Sequence, residues 1–430
     1  MQLIKKISIF SILSFVPLIQ DKIFAYPVII GASDVSNLQG VNRNNLIAIA
    51  PDGQGSWKKI PLQIEEVEDE AAIVFRAPTK ILPLRAEHPH PGTVDPFEGK
   101  LDTVHRLILE DDTFGVCTDK CQTELQQQAK MLCNNQNNVS IFPATRIDLN
   151  FLKKTAFVVN CKSKQQSDFK STVAVDLEKR IFKATEFSYA YRSKKDILLD
   201  KITFQPDNIE VLGPSELQVY LKPKYLVNMH FEDKDLISRV TSVTQGSVGA
   251  GVEVAFSLKV LGFKVNSQIC CDVSVFKDSL YFPVMLDLPF EGSSFQKGSG
   301  LFYGLNYGGD IDKDIKIYAP KLGETKQEDS TNPGSTLMIR TQGKVMAVAF
   351  RNAKKGISDS IAPSLAMPED LKTLGFPKVK TKFGLFYDVT TLKKGFHNFN
   401  VWFYVGKESN ADQLLEYGKY GIRFKTTPVR

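Results

Sequence analysis

The residues best equipped for chemistry lie between Glu87 and His105. Glu87, His88, His90, Asp95, Asp102 and His105 fall within a short stretch that holds three of the chain's five histidines. Two imidazoles in a His-x-His pattern, with a carboxylate nearby, are donors for a transition metal, and an extended segment would present His88 and His90 on one face. Pro89 and Pro91 stiffen that segment. The reading is a metal site of His88, His90, His105 and Asp95. Set against it is an exposed proline-rich loop whose histidines face water, because spacing alone fixes no third ligand.

Carboxylate runs offer a harder cation. Glu65, Glu66, Glu68, Asp69 and Glu70 end a strand-like segment, and Asp310, Asp312 and Asp314 resemble the start of a calcium loop. Ile315 and Lys321 stand where an EF-hand needs Gly and Glu, so that motif is excluded. A generic calcium loop and a solvated turn stay open as alternatives. No cofactor is required by any motif. Gly246–Gly251 lacks the Lys-Ser/Thr ending of a phosphate loop and precedes a strand, so it reads as a hairpin connection. No serine occupies a GxSxG elbow. Paired carboxylates for glycoside cleavage cannot be picked out from one sequence.

Aromatic residues give a different lead. Tyr303 and Tyr307 lie close to glycines, and Trp402 and Tyr404 share one face of a strand whose other face carries Phe399, Val401 and Phe403. A ring set on an open sheet face can stack on a sugar or anchor a protein. Both sets would be core if the strand lay between two packed sheets.

The six cysteines are Cys117, Cys121, Cys133, Cys161, Cys270 and Cys271, an even count that admits 15 pairings. Asp119–Leu132 reads as a helix with Cys121, Leu125, Ala129 and Leu132 on one side. A straight helix separates Cys121 from Cys133 by about 18 Å, too far for a bond. Neighbouring Cys270 and Cys271 point to opposite faces of a strand. At least one bridge is expected within Cys117–Cys161, tying the helix to strands. The spacings do not match structural zinc.

The elements that must position these groups are mostly strands. Trp57–Glu66 alternates Ile60, Leu62 and Ile64 with polar residues, and similar runs recur from Val104–Glu110 to Phe396–Val405, including Val252–Val265. Turn clusters separate them. The expected fold is mainly β, an antiparallel β-sandwich architecture with a few short helices in two β domains. Beyond the cysteine-bearing helix, Pro368–Leu374 and Asn410–Tyr417 read as helices, the latter capped by Ser409 and closed by Gly418.

The first residues place Lys5 and Lys6 before a 13-residue apolar run, Ile7–Ile19, and then Ile23-Phe24-Ala25. That order is a secretory signal with cleavage after Ala25, because a spanning helix needs roughly 20 apolar residues. The expected units are a signal peptide over 1–25, an N-terminal β domain over 26–163 and a larger β-sandwich domain over 164–430. The expected location is exported, periplasmic or extracellular. The formal charge of +6 is small and evenly interleaved, which disfavours nucleic acid and permits glycans or anionic surfaces. No later stretch has the length of a membrane helix. In general look the chain resembles bacterial cell-envelope and polysaccharide-associated β-sandwich proteins, a resemblance of architecture that transfers no residue. The functional expectation is a non-catalytic binding protein for glycan or an envelope protein, with a carbohydrate-active hydrolase or lyase as the alternative.

Overall fold

Apolar residues at every second position give each strand a face that must be covered, and in this chain several strands are apolar on both faces. The computed structural model describes residues 26–52, 56–66, 105–117, 120–133, 143–150, 152–165, 169–193, 196–225, 227–260, 263–288, 291–308, 314–318, 334–352, 364–376 and 378–429. The fold is mainly β, and the strand pairings among these residues are antiparallel. His88, His90 and Asp95 lie outside the described residues, as do Glu68–Glu70 and Asp310–Asp312.

The sheets stack in layers. A five-stranded sheet runs in the order Phe424–Val429, Ala144–Leu149, Lys154–Asn160, Leu46–Pro51, Trp57–Ile60. Its edge strand Phe424–Val429 comes from the end of the chain and pairs with Ala144–Leu149, so sheet pairing joins the expected 26–163 unit to the expected 164–430 unit. One face of this sheet carries helix α1, Cys121–Leu132, which buries Cys121, Leu125 and Ala129 against Ile47, Ile49, Phe157 and Val159. The other face packs on a three-stranded sheet of Pro27–Gly31, His105–Glu110 and Gln63–Glu66.

That small sheet is buried on both sides. Val28, Ile30, Leu107 and Leu109 face the first core, while Ile29 and Ile108 face a second. Continuous apolar runs such as Val28-Ile29-Ile30 therefore belong to an inner layer. Trp57–Glu66, expected as one strand, is two. Trp57–Ile60 and Gln63–Glu66 lie in different sheets, and Pro61, which has no N–H for a ladder, stands at the crossing.

The second core is shared with an eight-stranded sheet in the order Leu236–Gln245, Gly249–Val260, Phe263–Phe276, Ser279–Leu288, Gly395–Lys407, Lys344–Asn352, Gly334–Thr341, Asp314–Tyr318. The run expected as Val252–Val265 ends at Val260, and a new strand starts at Phe263. Beyond this sheet lies the largest core, closed by two further five-stranded sheets. One spans Ala174–Leu212; the other orders Met229–Glu232, Glu216–Leu221, Gly300–Leu305, Phe383–Asp388 and Ser364–Ala366. Helix α2, Pro368–Thr373, covers the outer face of the latter through Leu371 against Phe302 and Phe386.

Helix α3, Ala411–Tyr420, packs on the eight-stranded sheet beside the small inner sheet. It begins one residue after Asn410 and runs past the expected stop at Gly418, ending at Gly421, whose φ of 74° suits glycine. Gly418 serves packing. A Cβ there would lie 2.5 Å from Thr336 Cγ2, so its absence lets the helix sit close to the sheet.

Candidate functional site

Alternation along Glu216–Leu221 sends Leu217, Val219 and Leu221 to the large core and leaves Glu216, Gln218 and Tyr220 on the opposite face. The partner strand Met229–Glu232 brings His230 opposite Tyr220 and Glu232 opposite Gln218. Register thus gathers a carboxylate, an amide, a phenol, an imidazole and a second carboxylate at one sheet margin.

Hydrogen bonds order this row from the inside out. Glu216 is buried; its Oε2 accepts from the Lys380 N–H at 2.8 Å, the Thr381 N–H at 3.1 Å and Thr381 Oγ1 at 3.3 Å. Its Oε1 accepts from Gln218 Nε2 at 2.6 Å. A carboxylate can only accept here, so it fixes the amide orientation and turns Gln218 Oε1 toward His230 Nε2, 3.3 Å away. The imidazole therefore carries its proton on Nε2. Nδ1 is left as an acceptor, 3.9 Å from Glu232 Oε1.

Electrostatics keep that assignment at neutral pH. Burial holds the His230 pKa below its ordinary value, against the opposing pull of Glu232. A hydrogen bond from Lys234, whose Nζ lies 3.1 Å from Oε2, holds the Glu232 carboxyl low. The margin thus presents a neutral imidazole nitrogen and a carboxylate oxygen side by side, both acceptors, on side chains 23% and 27% exposed. Tyr220 flanks them, its ring edge-on to His230 at 6.0 Å and to Phe376 at 5.2 Å, with Lys222 Nζ 5.1 Å above its face.

A second polar cluster is sealed between layers. Asp111 is 1% exposed; it accepts from the Tyr26 N–H at 2.7 Å and the Tyr417 hydroxyl at 2.9 Å. The Tyr26 hydroxyl donates to the Val405 carbonyl. Burial pushes the Asp111 carboxyl up to about 7, against the hydrogen bonds from Tyr26 and Tyr417. Burial, then the neighbouring Asp112 charge, pushes Glu110 to about 7 as well. Asp112 pairs with Lys277 at 3.2 Å. Perturbed carboxyls often mark catalysis, but the buried Asp111 acts here as a tie between sheets.

The residues expected from sequence are distributed differently. Of the histidine set, only His105 is described, as the first residue of His105–Glu110, paired with Glu66. Among the described residues no group of three or more His, Cys, Asp or Glu is placed to hold a metal. Trp402 and Tyr404, 9% and 1% exposed, are core: they stack at 5.4 Å in the second core, while Val401 and Phe403 fill the largest one. Neither ring offers a ligand face, because the strand lies between two packed layers. Tyr303 is half-buried against Phe350, and Tyr307 stacks on Phe383 at 4.7 Å with Lys382 Nζ 5.5 Å above it.

Cys133 and Cys161 form a disulfide that ties the end of α1 to the residue after Lys154–Asn160. Cys117 and Cys121 are outside any disulfide and in mutual contact, and burial, then the hydrogen bond with Cys121, pushes Cys117 up to about 12. Cys270 and Cys271 are consecutive residues of Phe263–Phe276. The His230 margin was missed because its members come from two strands; the signal available was the alternation of Glu216, Gln218 and Tyr220 against Leu217, Val219 and Leu221.

The class this architecture defines is a mainly-β protein of stacked antiparallel sheets. No protein-family model and no curated protein matches the chain. Among solved structures it is similar to an alpha-mannosidase from Enterococcus faecalis V583, at 9% identity and a TM-score of 0.45 over 95% of this chain and 45% of that one. A glycosyl hydrolase family 38 protein from Enterococcus faecalis gives 10% identity and 0.44 over 95% and 46%. A bacterial glucoamylase complexed with acarbose gives 12% and 0.31 over 58% and 35%. The chain spans less than half the length of each, and at these scores the likeness carries no argument about activity. Among the described residues no helix is long and apolar enough to cross a membrane.

Proposed function

We propose that this chain is an exported, non-catalytic binding protein that takes a glycan at the sheet margin of Tyr220, His230 and Glu232. The observation that carries the reading is the pair of adjacent acceptors, His230 Nδ1 and Glu232 Oε1, 3.9 Å apart on partly exposed side chains at the sheet edge. Two neighbouring acceptors call for two neighbouring donors, and the vicinal hydroxyls of a sugar supply them. The buried Glu216–Gln218 relay sets the imidazole tautomer in advance, which spares the cost of ordering it on binding. Tyr220, whose ring meets His230 edge-on at 6.0 Å, forms the aromatic wall beside these two acceptors.

Export rests on the order of charge, apolar run and small residue before Tyr26, and the Cys133–Cys161 bridge supports it, since disulfides persist in oxidising compartments. A panel of oligosaccharides and polysaccharides, screened both for binding and for release of reducing ends, tests the function. Binding without product, weakened about tenfold or more by His230→Ala or Glu232→Gln, is the expected result. Product release would make the chain a hydrolase or lyase, and binding indifferent to both substitutions would place the ligand elsewhere.

A further inference from the structure

The hairpin joining Glu216–Leu221 to Met229–Glu232 carries an apolar tip. Tyr225 is 93% exposed and Val227 84%, the two highest values among the large apolar side chains of the described residues. A tip of this kind is costly in water unless something receives it.

Its surroundings name the receiver. Lys224 N–H donates to the Ser294 carbonyl at 3.0 Å and Gln296 N–H to the Lys222 carbonyl at 2.8 Å, so residues 291–299 lie beside the hairpin. Lys222 Nζ donates to the Leu374 carbonyl, which adds the end of α2, and Gly292 N–H donates to the Leu392 carbonyl at 2.8 Å, which adds the turn after Phe383–Asp388. These four segments, 222–225, 291–299, 372–376 and 391–394, hold Lys222, Lys224, Lys297, Lys372, Lys393 and Lys394 against one carboxylate, Glu291. The chain as a whole interleaves its charges, so this end of one sheet is an exception. An exposed aromatic and an exposed aliphatic residue at a lysine-rich end of a sheet match an anionic lipid surface: the apolar groups enter the headgroup boundary and the ammonium groups meet phosphate.

We propose that this lysine-rich end of the sheet docks on an anionic bilayer surface by inserting Tyr225 and Val227. Docking there would hold the His230 margin, on the same hairpin, close to the membrane plane.

Co-sedimentation of the full chain with large vesicles of phosphatidylglycerol and phosphatidylcholine in equal parts, against phosphatidylcholine alone, tests the proposal. The expected result is association with the anionic vesicles only, falling at least tenfold in Tyr225→Ser/Val227→Ser, about thirtyfold in Lys224→Gln/Lys297→Gln, and steeply with added salt. Equal association with neutral vesicles would overturn it, because an apolar leader retained at the N-terminus would behave that way. An unchanged Tyr225→Ser/Val227→Ser variant would overturn it too, by reducing the effect to charge alone. Thermal midpoints of the variants should equal that of the parent. Tyr225→Trp gives an independent readout: its emission should shift blue and be quenched by brominated lipid in anionic vesicles, while the parent, with Trp57 and Trp402 buried, should show neither. Emission that stays red in the presence of anionic vesicles, or binding of the tip to a protein in place of lipid, would sink the proposal.

Discussion

The Tyr417 hydroxyl donates to Asp111 Oδ2 at 2.9 Å across 306 positions of sequence, joining α3 to the end of His105–Glu110. Gln413 Nε2 donates to the same hydroxyl at 2.8 Å, so the phenol is held from both sides. Asp111 Oδ1 meanwhile accepts the Tyr26 N–H. One buried carboxyl thus connects the first described residue, an inner sheet and the last helix.

Asp111 and Glu110 should make stability fall as pH rises. In the unfolded chain both carboxyls titrate near their ordinary values, about 4. From there to about 7 the folded protein keeps protons that the unfolded chain has released, so the unfolding free energy declines across that window. Their contribution is whole below the unfolded pKa and is lost through the folded one. Asp111→Asn, which cannot titrate, should flatten the decline between pH 5 and pH 8 by at most about 3 kcal/mol. Urea midpoints at pH 5 and pH 8 for both proteins check this; an equal decline in the variant would refute it.

Tyr417→Phe keeps the ring contact with Tyr26, whose centroid is 5.4 Å away, but removes the donor to Asp111. A loss of about 1–2 kcal/mol is expected, the range for a hydrogen bond to a buried charged or half-charged partner. Chemical denaturation at pH 7 measures it, and the difference should shrink at pH 5, where Asp111 is protonated.

Cys133→Ser should cost about 3–4 kcal/mol, the chain entropy of a bridge spanning 28 positions. Reduction of the parent should reproduce that loss. By contrast Cys117, pushed up to about 12, should alkylate slowly at pH 8, where only about one thiol in ten thousand is ionised. Urea denaturation measures the first result, and peptide mapping after timed iodoacetamide treatment of the unreduced protein reads the second.

Gly304→Ala should disturb the His230 margin from beneath. Its Cβ would lie 2.0 Å from Thr381 Oγ1 and 2.7 Å from Phe302 Cε1, and Thr381 is one of the groups that hold Glu216. Overpacking of this kind costs about 1–3 kcal/mol. A lowered thermal midpoint together with weaker glycan binding is the expected pair of changes.

Much of the fold is legible before any coordinates. Runs rich in Val, Ile, Phe and Tyr between turn residues mark Lys154–Asn160, Ser279–Leu288 and Gly395–Lys407 as strands, and the spacing of Cys121, Leu125, Ala129 and Leu132 marks α1, because local pattern follows from backbone geometry. The disulfide partner of Cys133 is not legible, since it depends on where the strand Lys154–Asn160 ends relative to α1. The margin at His230 is less legible still. Glu216 and Thr381 stand far apart in sequence, and His230 has nothing around it that sets it off from a surface histidine.

Composition and periodicity, acting residue by residue, dictated strands, few helices and a bridge near α1. Which face of each strand became core was decided by tertiary structure. Trp402 and Tyr404 have the pattern of an open aromatic face, yet a second sheet and α3 cover them. Tyr225 has the look of any turn tyrosine, yet nothing among the described residues covers it. Burial is a property of neighbours brought together by the whole chain, and side-chain alternation supplies two faces without choosing between them.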